Sequence, residues 1–164
     1  MSDAKQIFGK YLTFILGHEE YGIEILKVQE IIGMMEVTAV PKAPPFIRGI
    51  INLRGNVIPV VDLREKFEMP RKENSEKTCV IVLNVNAGDA AKTVTMGILV
   101  DEVSEVLDIA SEKIDPPPDF GAAVDTRFIL GIGKLEKKVA ILLDIDKVLK
   151  PAEISALAVA APAA

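Results

Sequence analysis

Few side chains in this 164-residue chain are of the kind that do chemistry, and their spacing gives them little to work with. His18 is the single histidine and stands beside Glu19 and Glu20 in GHEEYG. A triad or a metal site needs His, Cys or carboxylates converging at set spacings. Nothing near His18 provides that, so it reads as a solvated turn residue. Cys79 is the single cysteine and opens the apolar run CVIVL, where it suits the role of a small buried hydrophobe. Asp62 and Asp144 are the one pair that could divide acid and base work between them, as in a small hydrolase. Each, however, follows an apolar strand and precedes a short helical stretch, where Asp is a good N-cap. Neither GxGxxG nor GxxxxGK[ST] occurs, so no phosphate cradle is expected. We therefore assign no catalytic residue and expect no metal and no cofactor.

Asp62 and Asp144 are equivalent because the chain repeats itself. Residues 46–67, FIRGIINLRGNVIPVVDLREKF, lie over 128–149, FILGIGKLEKKVAILLDIDKVL, at a constant offset of 82 with seven identities. Residues 21–32, YGIEILKVQEII, lie over 96–107, MGILVDEVSEVL, at an offset of 75, with Gly22/Gly97, Ile23/Ile98, Val28/Val103 and Glu30/Glu105 identical. The change of offset requires seven extra residues between 108 and 127, where Pro116-Pro117-Pro118 and Gly121-Ala122-Ala123 read as loop. One small architecture built twice is the implication.

The elements that carry these residues are short. YLTFIL (11–16) is expected as a strand, GHEEYG as a turn, and YGIEI as the start of a second strand. In ILKVQEIIG (25–33) the apolar spacing predicts a short helix stopped by Gly33, although its β-branched residues also suit a strand. GIINLR (49–54) and VIPVVDL (57–63) form a hairpin, with Gly55-Asn56 as a II′ turn and Pro59 at an edge or bulge. Asp62 and Glu65 resemble a capping box opening a helix over 63–67. CVIVLNV (79–85) pairs with TVTMGILV (93–100) across the polar loop NAGDAAK, and RFILGIGKL pairs with KVAILLDI, after which Asp144 caps a helix over 145–149. Many short strands with Gly-rich turns imply a mainly β fold of small closed barrels. The Ala-rich tail, 151–164, is expected to fray.

Composition narrows the function. Hydrophobic residues make up 49% of the chain, enough for a core, yet no apolar run reaches transmembrane length and no signal peptide opens the sequence. A cytoplasmic protein without direct membrane insertion is expected. A net charge of −5 disfavours nucleic acid, and so do the absence of Trp and the 5% aromatic content. Charge is also uneven. Residues 37–72 hold seven bases and three acids, whereas 101–125 hold eight acids and one base. Equal copies with unlike surfaces suit a protein that joins two partners.

The stretches EEYGIEILKVQEI (19–31), PPFIRGIINLRGNVIPVVDLREKF (44–67), MGILVDEVSEVL (96–107) and FILGIGKLEKKVAILLDIDKVL (128–149) resemble the CheW family of chemotaxis adaptors. The resemblance covers residues 8–149. It implies two five-stranded barrels of SH3- or OB-like topology on a shared hydrophobic core. We place them at about 8–72 and 73–149, with a strand exchanged between them. It also implies no enzymatic activity and two partners, a CheA-type histidine kinase (through its regulatory domain) and the cytoplasmic tip of a methyl-accepting chemoreceptor, with recruitment to membrane-associated receptor arrays. By motif, receptor binding carries over to Val28, Glu30, Ile31, Gly49 and Arg54. Kinase binding carries over to Gly97, Val100, Val103 and Gly131. Arg54 has Glu136 as its repeat counterpart, so the copies differ in charge there, and a surface ion pair between Arg54 and Glu30 is the plainer alternative. Adaptors of non-flagellar pathways, such as those driving pili, share the motifs. A hydrolase using Asp62 and Asp144 is the rival from another class.

Overall fold

The computed structural model describes residues 9–69, 73–86, 93–117 and 127–148. Among the described residues, eleven short strands form two sheets. In chain order they are β1 (Lys10–Leu16), β2 (Glu19–Glu24), β3 (Val28–Gly33), β4 (Ile47–Leu53), β5 (Asn56–Asp62), β6 (Cys79–Asn86), β7 (Thr93–Val100), β8 (Glu102–Asp108), β9 (Ile114–Asp115), β10 (Ile129–Lys134) and β11 (Val139–Leu143). Two four-residue helices, α1 (Leu63–Lys66) and α2 (Ile145–Val148), follow β5 and β11. One sheet runs β3-β6-β7-β5-β4 and the other β8-β1-β2-β11-β10-β9. The second therefore has six strands rather than five, the extra one being the two-residue β9. The tail from 151 and the loop over 87–92 lie outside the described residues.

The repeat in the sequence is a repeat in the pairing. Val60 of β5 pairs in parallel with Gly97 of β7, and Leu142 of β11 pairs in parallel with Gly22 of β2. These are the same residues moved by the two offsets. Thr38 bridges Ile50 as Asp115 bridges Ile132. The amide of Asp62 donates to the Phe46 carbonyl at 2.7 Å, and that of Asp144 to the Phe128 carbonyl at 2.8 Å. In both cases the hairpin of one copy pairs with the first strand of the other. β1 and β2 thus complete the sheet built from the C-terminal strands, while β6 and β7 complete the sheet of β3, β4 and β5.

This exchange dictates burial. β1 and β7 are covered on both faces and read as nearly continuous buried runs. β4 alternates, with Ile47, Gly49, Ile51 and Leu53 inside. Phe14, Leu83, Met96 and Ile98, all fully buried, belong to a core shared by both sheets. Ile51, Val60, Val80 and Leu99 fill one barrel, and Tyr11, Ile109, Ala140 and Leu142 the other. A stack of aromatic rings threads the shared core. It runs from Phe14 to Tyr21 (6.0 Å), Phe67 (6.1 Å) and Phe128 (5.2 Å).

Three local expectations need correction. The stretch 25–33 is a single 3-10 turn, Ile25–Lys27, followed by the edge strand β3. Its burial alternates with period two, which leaves Ile31 45% exposed where a helix would bury it beside Val28. The tight turn is Arg54-Gly55, since Leu53 pairs with Asn56. Both turn residues have positive φ, 52° and 90°, the I′ pattern rather than II′. Pro59 lies inside a strand with neighbours on both sides. The amide and carbonyl of Ile50, which faces Pro59, bond to Thr38 instead, and the ladder to β7 begins only at Val60. The missing N–H therefore breaks no β4 bond. The two Asp caps appear where expected. Asp62 Oδ1 accepts from the Arg64 amide at 2.9 Å, and Asp144 Oδ1 from the Asp146 amide at 3.1 Å.

Candidate partner-binding surfaces

Among the described strands β3 is an edge, with β6 as its one neighbour. It carries three of the expected receptor residues, divided between its two faces. Val28 is half-buried against the shared core, Ile31 projects to solvent, and Glu30 lies between them on the half-buried side. Arg54, at the tip of the β4–β5 hairpin, donates from Nη2 to Glu30 Oε2. β3 and β4 end the sheet order, so this contact spans the seam between them, alongside the backbone bridge from Thr38 to Ile50 of β4. The I′ turn places the Arg54 backbone in the left-handed region with Gly55 beside it, and Asn52 Oδ1 accepts from the Gly55 amide at 2.8 Å. The second barrel has Glu105 and Glu136 at the equivalent places, and two like charges cannot form that clasp.

Gly49 is buried at φ 150°, and a Cβ there would overlap the Thr38 carbonyl. It shapes the β3-bearing barrel and offers no side chain to a partner. The expected kinase residues are mostly interior too. Val100 is 0% exposed, and a Cβ on Gly97 would meet Val80 Cγ1 at 2.5 Å. A Cβ on Gly131 would meet Ile114 Cγ2 at 2.6 Å and the Asp115 carbonyl at 2.9 Å. Only Val103, half-buried on the edge strand β8, reaches the surface. Gly97, Val100 and Gly131 therefore sit at packing positions.

The polar residues form two clusters. Asp62, 3% exposed, accepts from Arg48 Nη1 at 2.8 Å and from Arg64 Nε at 3.4 Å. Arg64 Nη1 lies 3.1 Å from Asp101 Oδ1, and Asp101 Oδ2 accepts from the Gly17 amide at 2.7 Å. Asp144 is less enclosed and has Lys147 at 3.8 Å. Near it, Lys27 pairs with Asp146 at 2.7 Å. Burial pushes the Glu24 carboxyl up; Lys27 counteracts this, while Asp144 and Asp146 add to it. Asp62 is thus committed to two guanidiniums and a helix cap. Among the described residues no group of three or more His, Cys, Asp or Glu is placed to hold a metal ion. His18 is exposed in the Gly17-His18 turn, and Cys79 is half-buried with its thiol pushed up by burial. No helix among the described residues is long and apolar enough to cross a membrane.

Residues 10–153 match the family model for the CheW-like domain. The chain belongs to the CheW family. It is 44% identical to the chemotaxis protein CheW of Klebsiella aerogenes over 146 residues, 89% of this chain and 84% of that one. It is 33% identical to the chemotaxis protein CheW of Bacillus subtilis, with 85% and 86% of the two chains aligned. The crystal structure of the scaffolding protein TtCheW from Thermoanaerobacter tengcongensis superposes with a TM-score of 0.76 at 34% identity, covering 88% of this chain and 94% of that one. CheW proteins are chemotaxis scaffolds and adaptors rather than enzymes, and the mainly β, two-sheet architecture is theirs.

The sequence did not single out the Arg48–Asp62–Arg64–Asp101 cluster, the Glu20–Lys138 pair (2.5 Å) or Leu26, which is 91% exposed. A capping box marks Asp62, but nothing local signals that a residue far along the chain will meet Arg64.

Proposed function

We propose that this CheW protein couples the cytoplasmic tip of a chemoreceptor to the regulatory domain of a CheA-type histidine kinase at membrane-associated receptor arrays. The observation that carries the reading is the β3 edge. It combines an open backbone ladder, the exposed Ile31, and an ion pair from Glu30 to Arg54 that the second barrel lacks. An edge with one apolar anchor and a charged clasp suits a helical receptor tip, and the unlike second barrel suits a different partner. Val28, Glu30, Ile31 and Arg54 form the receptor-contacting surface, and Gly49 keeps its backbone in place. On the kinase side Val103 makes contact, while Gly97, Val100 and Gly131 serve the packing of the barrels that carry it.

The test is a pull-down with a soluble receptor signalling fragment and, separately, the kinase regulatory domain. The chain should retain each alone and both together. A folded chain that retains neither overturns the proposal.

A further inference from the structure

The chain crosses between the barrels at two corners. It passes from β2 to β3 through Ile25–Lys27, and from β7 to β8 at Asp101. The repeat makes these corners equivalent, with Leu26 at the position of Asp101 and Asp146 at that of Arg64. Each corner is tied to the short helix of the sheet it leaves, with opposite polarity. At one, the acidic crossover residue Asp101 meets the helical cation Arg64, and both side chains are about 5% exposed or less. At the other, the basic crossover residue Lys27 meets the helical anion Asp146, with side chains 24% and 26% exposed. The buried tie reaches further. Asp101 also accepts from the Gly17 amide, and its own amide donates to the Ile15 carbonyl at 3.0 Å, both in the β1–β2 region of the opposite barrel.

We propose that Arg64 and Asp101 are positioning residues that fix the angle between the two barrels, while Lys27 and Asp146 make a secondary, solvent-weakened tie at the opposite corner. Apolar contacts across the shared core are non-directional and permit small rotations. The buried pair sets Arg64 Nη1 against Asp101 Oδ1 while Asp101 Oδ2 takes the Gly17 amide, and one relative placement of the two barrels allows both contacts. Buried ion pairs add little net stability over apolar replacements and are retained where they specify one arrangement. The pair therefore sets orientation, and through it the relation between the two partner surfaces.

The experiment places spin labels at Gln29 on β3 and Glu112 beyond β8, both exposed, in a Cys79→Ala background, and reads the distance distribution. The parent should give one narrow peak. Arg64→Met with Asp101→Leu should remain folded and lose that peak in favour of a broad one. Asp101→Asn, which keeps an acceptor for Gly17, should do the same and decides the matter where the double variant fails to fold. Lys27→Gln should keep the narrow peak. A narrow peak at the parent distance in either folded variant of the buried pair overturns the inference, as does its loss in Lys27→Gln alone. In the unlabelled variants each partner should bind as to the parent, while the joint complex is lost. If the parent binds neither partner the proposed function falls, and the distance readout still decides this inference.

Discussion

Arg54 and Glu30, 24 residues apart, join the two outer edges of the five-stranded sheet through a single ion pair. The Arg54 side chain is 66% exposed, so the pair contributes about 1 kcal/mol at most to stability. Its location on an open edge gives it another use, because a partner can exchange one member of the pair for its own charge.

Arg54→Glu should therefore separate folding from binding. Two acids would then stand at the equivalent places, as Glu105 and Glu136 do in the second copy of the repeat. We expect a loss of no more than about 1 kcal/mol in urea unfolding. Receptor-fragment retention should fall by at least about tenfold, since a like charge replaces the clasp at a recognition edge. Unchanged receptor affinity in this variant would remove Arg54 from the receptor surface.

Gly97→Ala should weaken kinase binding only as far as it destabilises the fold. The added methyl meets Val80 Cγ1 in the barrel interior, an overpacking cost of about 1–3 kcal/mol. Removing the obstacle should restore the loss, so Gly97→Ala with Val80→Ala should show favourable coupling in a double-mutant cycle. Kinase-domain affinity should follow stability across the four proteins. A binding defect that persists in a stable double variant would mean that Gly97 touches the partner.

The equivalent aspartates should behave unequally. Asp62→Ala strips a cap and leaves Arg64, 4% exposed, without one of its acids, at a cost of about 3–5 kcal/mol. Asp144→Ala removes a partly exposed cap, at about 1 kcal/mol. Chemical denaturation of both variants measures the difference. Equal losses would show that the buried charge cluster adds nothing beyond capping.

These contrasts mark how far the sequence could be read. Most strand positions, both caps and the duplication were visible because each leaves a pattern in the chain, such as the Asp before α1 and α2 or the apolar runs of β1 and β7; β8 and β9 were not. The 25–33 stretch misled because Ile25, Val28, Ile31 and Ile32 satisfy a helical period, while edge pairing with β6 decides for a strand. The exchange of β1–β2 for β6–β7 between sheets has no local signature. It becomes visible only when Val60–Gly97 and Leu142–Gly22 are seen as the same parallel pair. For the candidate surfaces, motif placed Glu30, Ile31 and Arg54 on an accessible edge. It could not tell that Val100 faces inward, because a fully covered strand and a half-covered one share the same apolar letters.

Tyr11 makes the second barrel sensitive to alkali. Its side chain is fully buried, and burial, aided by the nearby Glu24 carboxylate, pushes its phenol from 10.0 up to about 12. The folded value lies above the unfolded one, so the protonated phenol supports the fold fully below pH 10. That support is lost as the pH rises through about 12. The shift corresponds to about 3 kcal/mol, a large share of the stability of a domain this size. Urea unfolding followed between pH 9 and pH 12 should therefore show a steep loss of stability. Tyr11→Phe, which has no proton to release, should flatten that loss while costing about 1 kcal/mol at neutral pH for the missing hydroxyl contact. An unchanged alkaline slope in Tyr11→Phe would transfer the effect to Tyr21, whose phenol is also pushed up by burial.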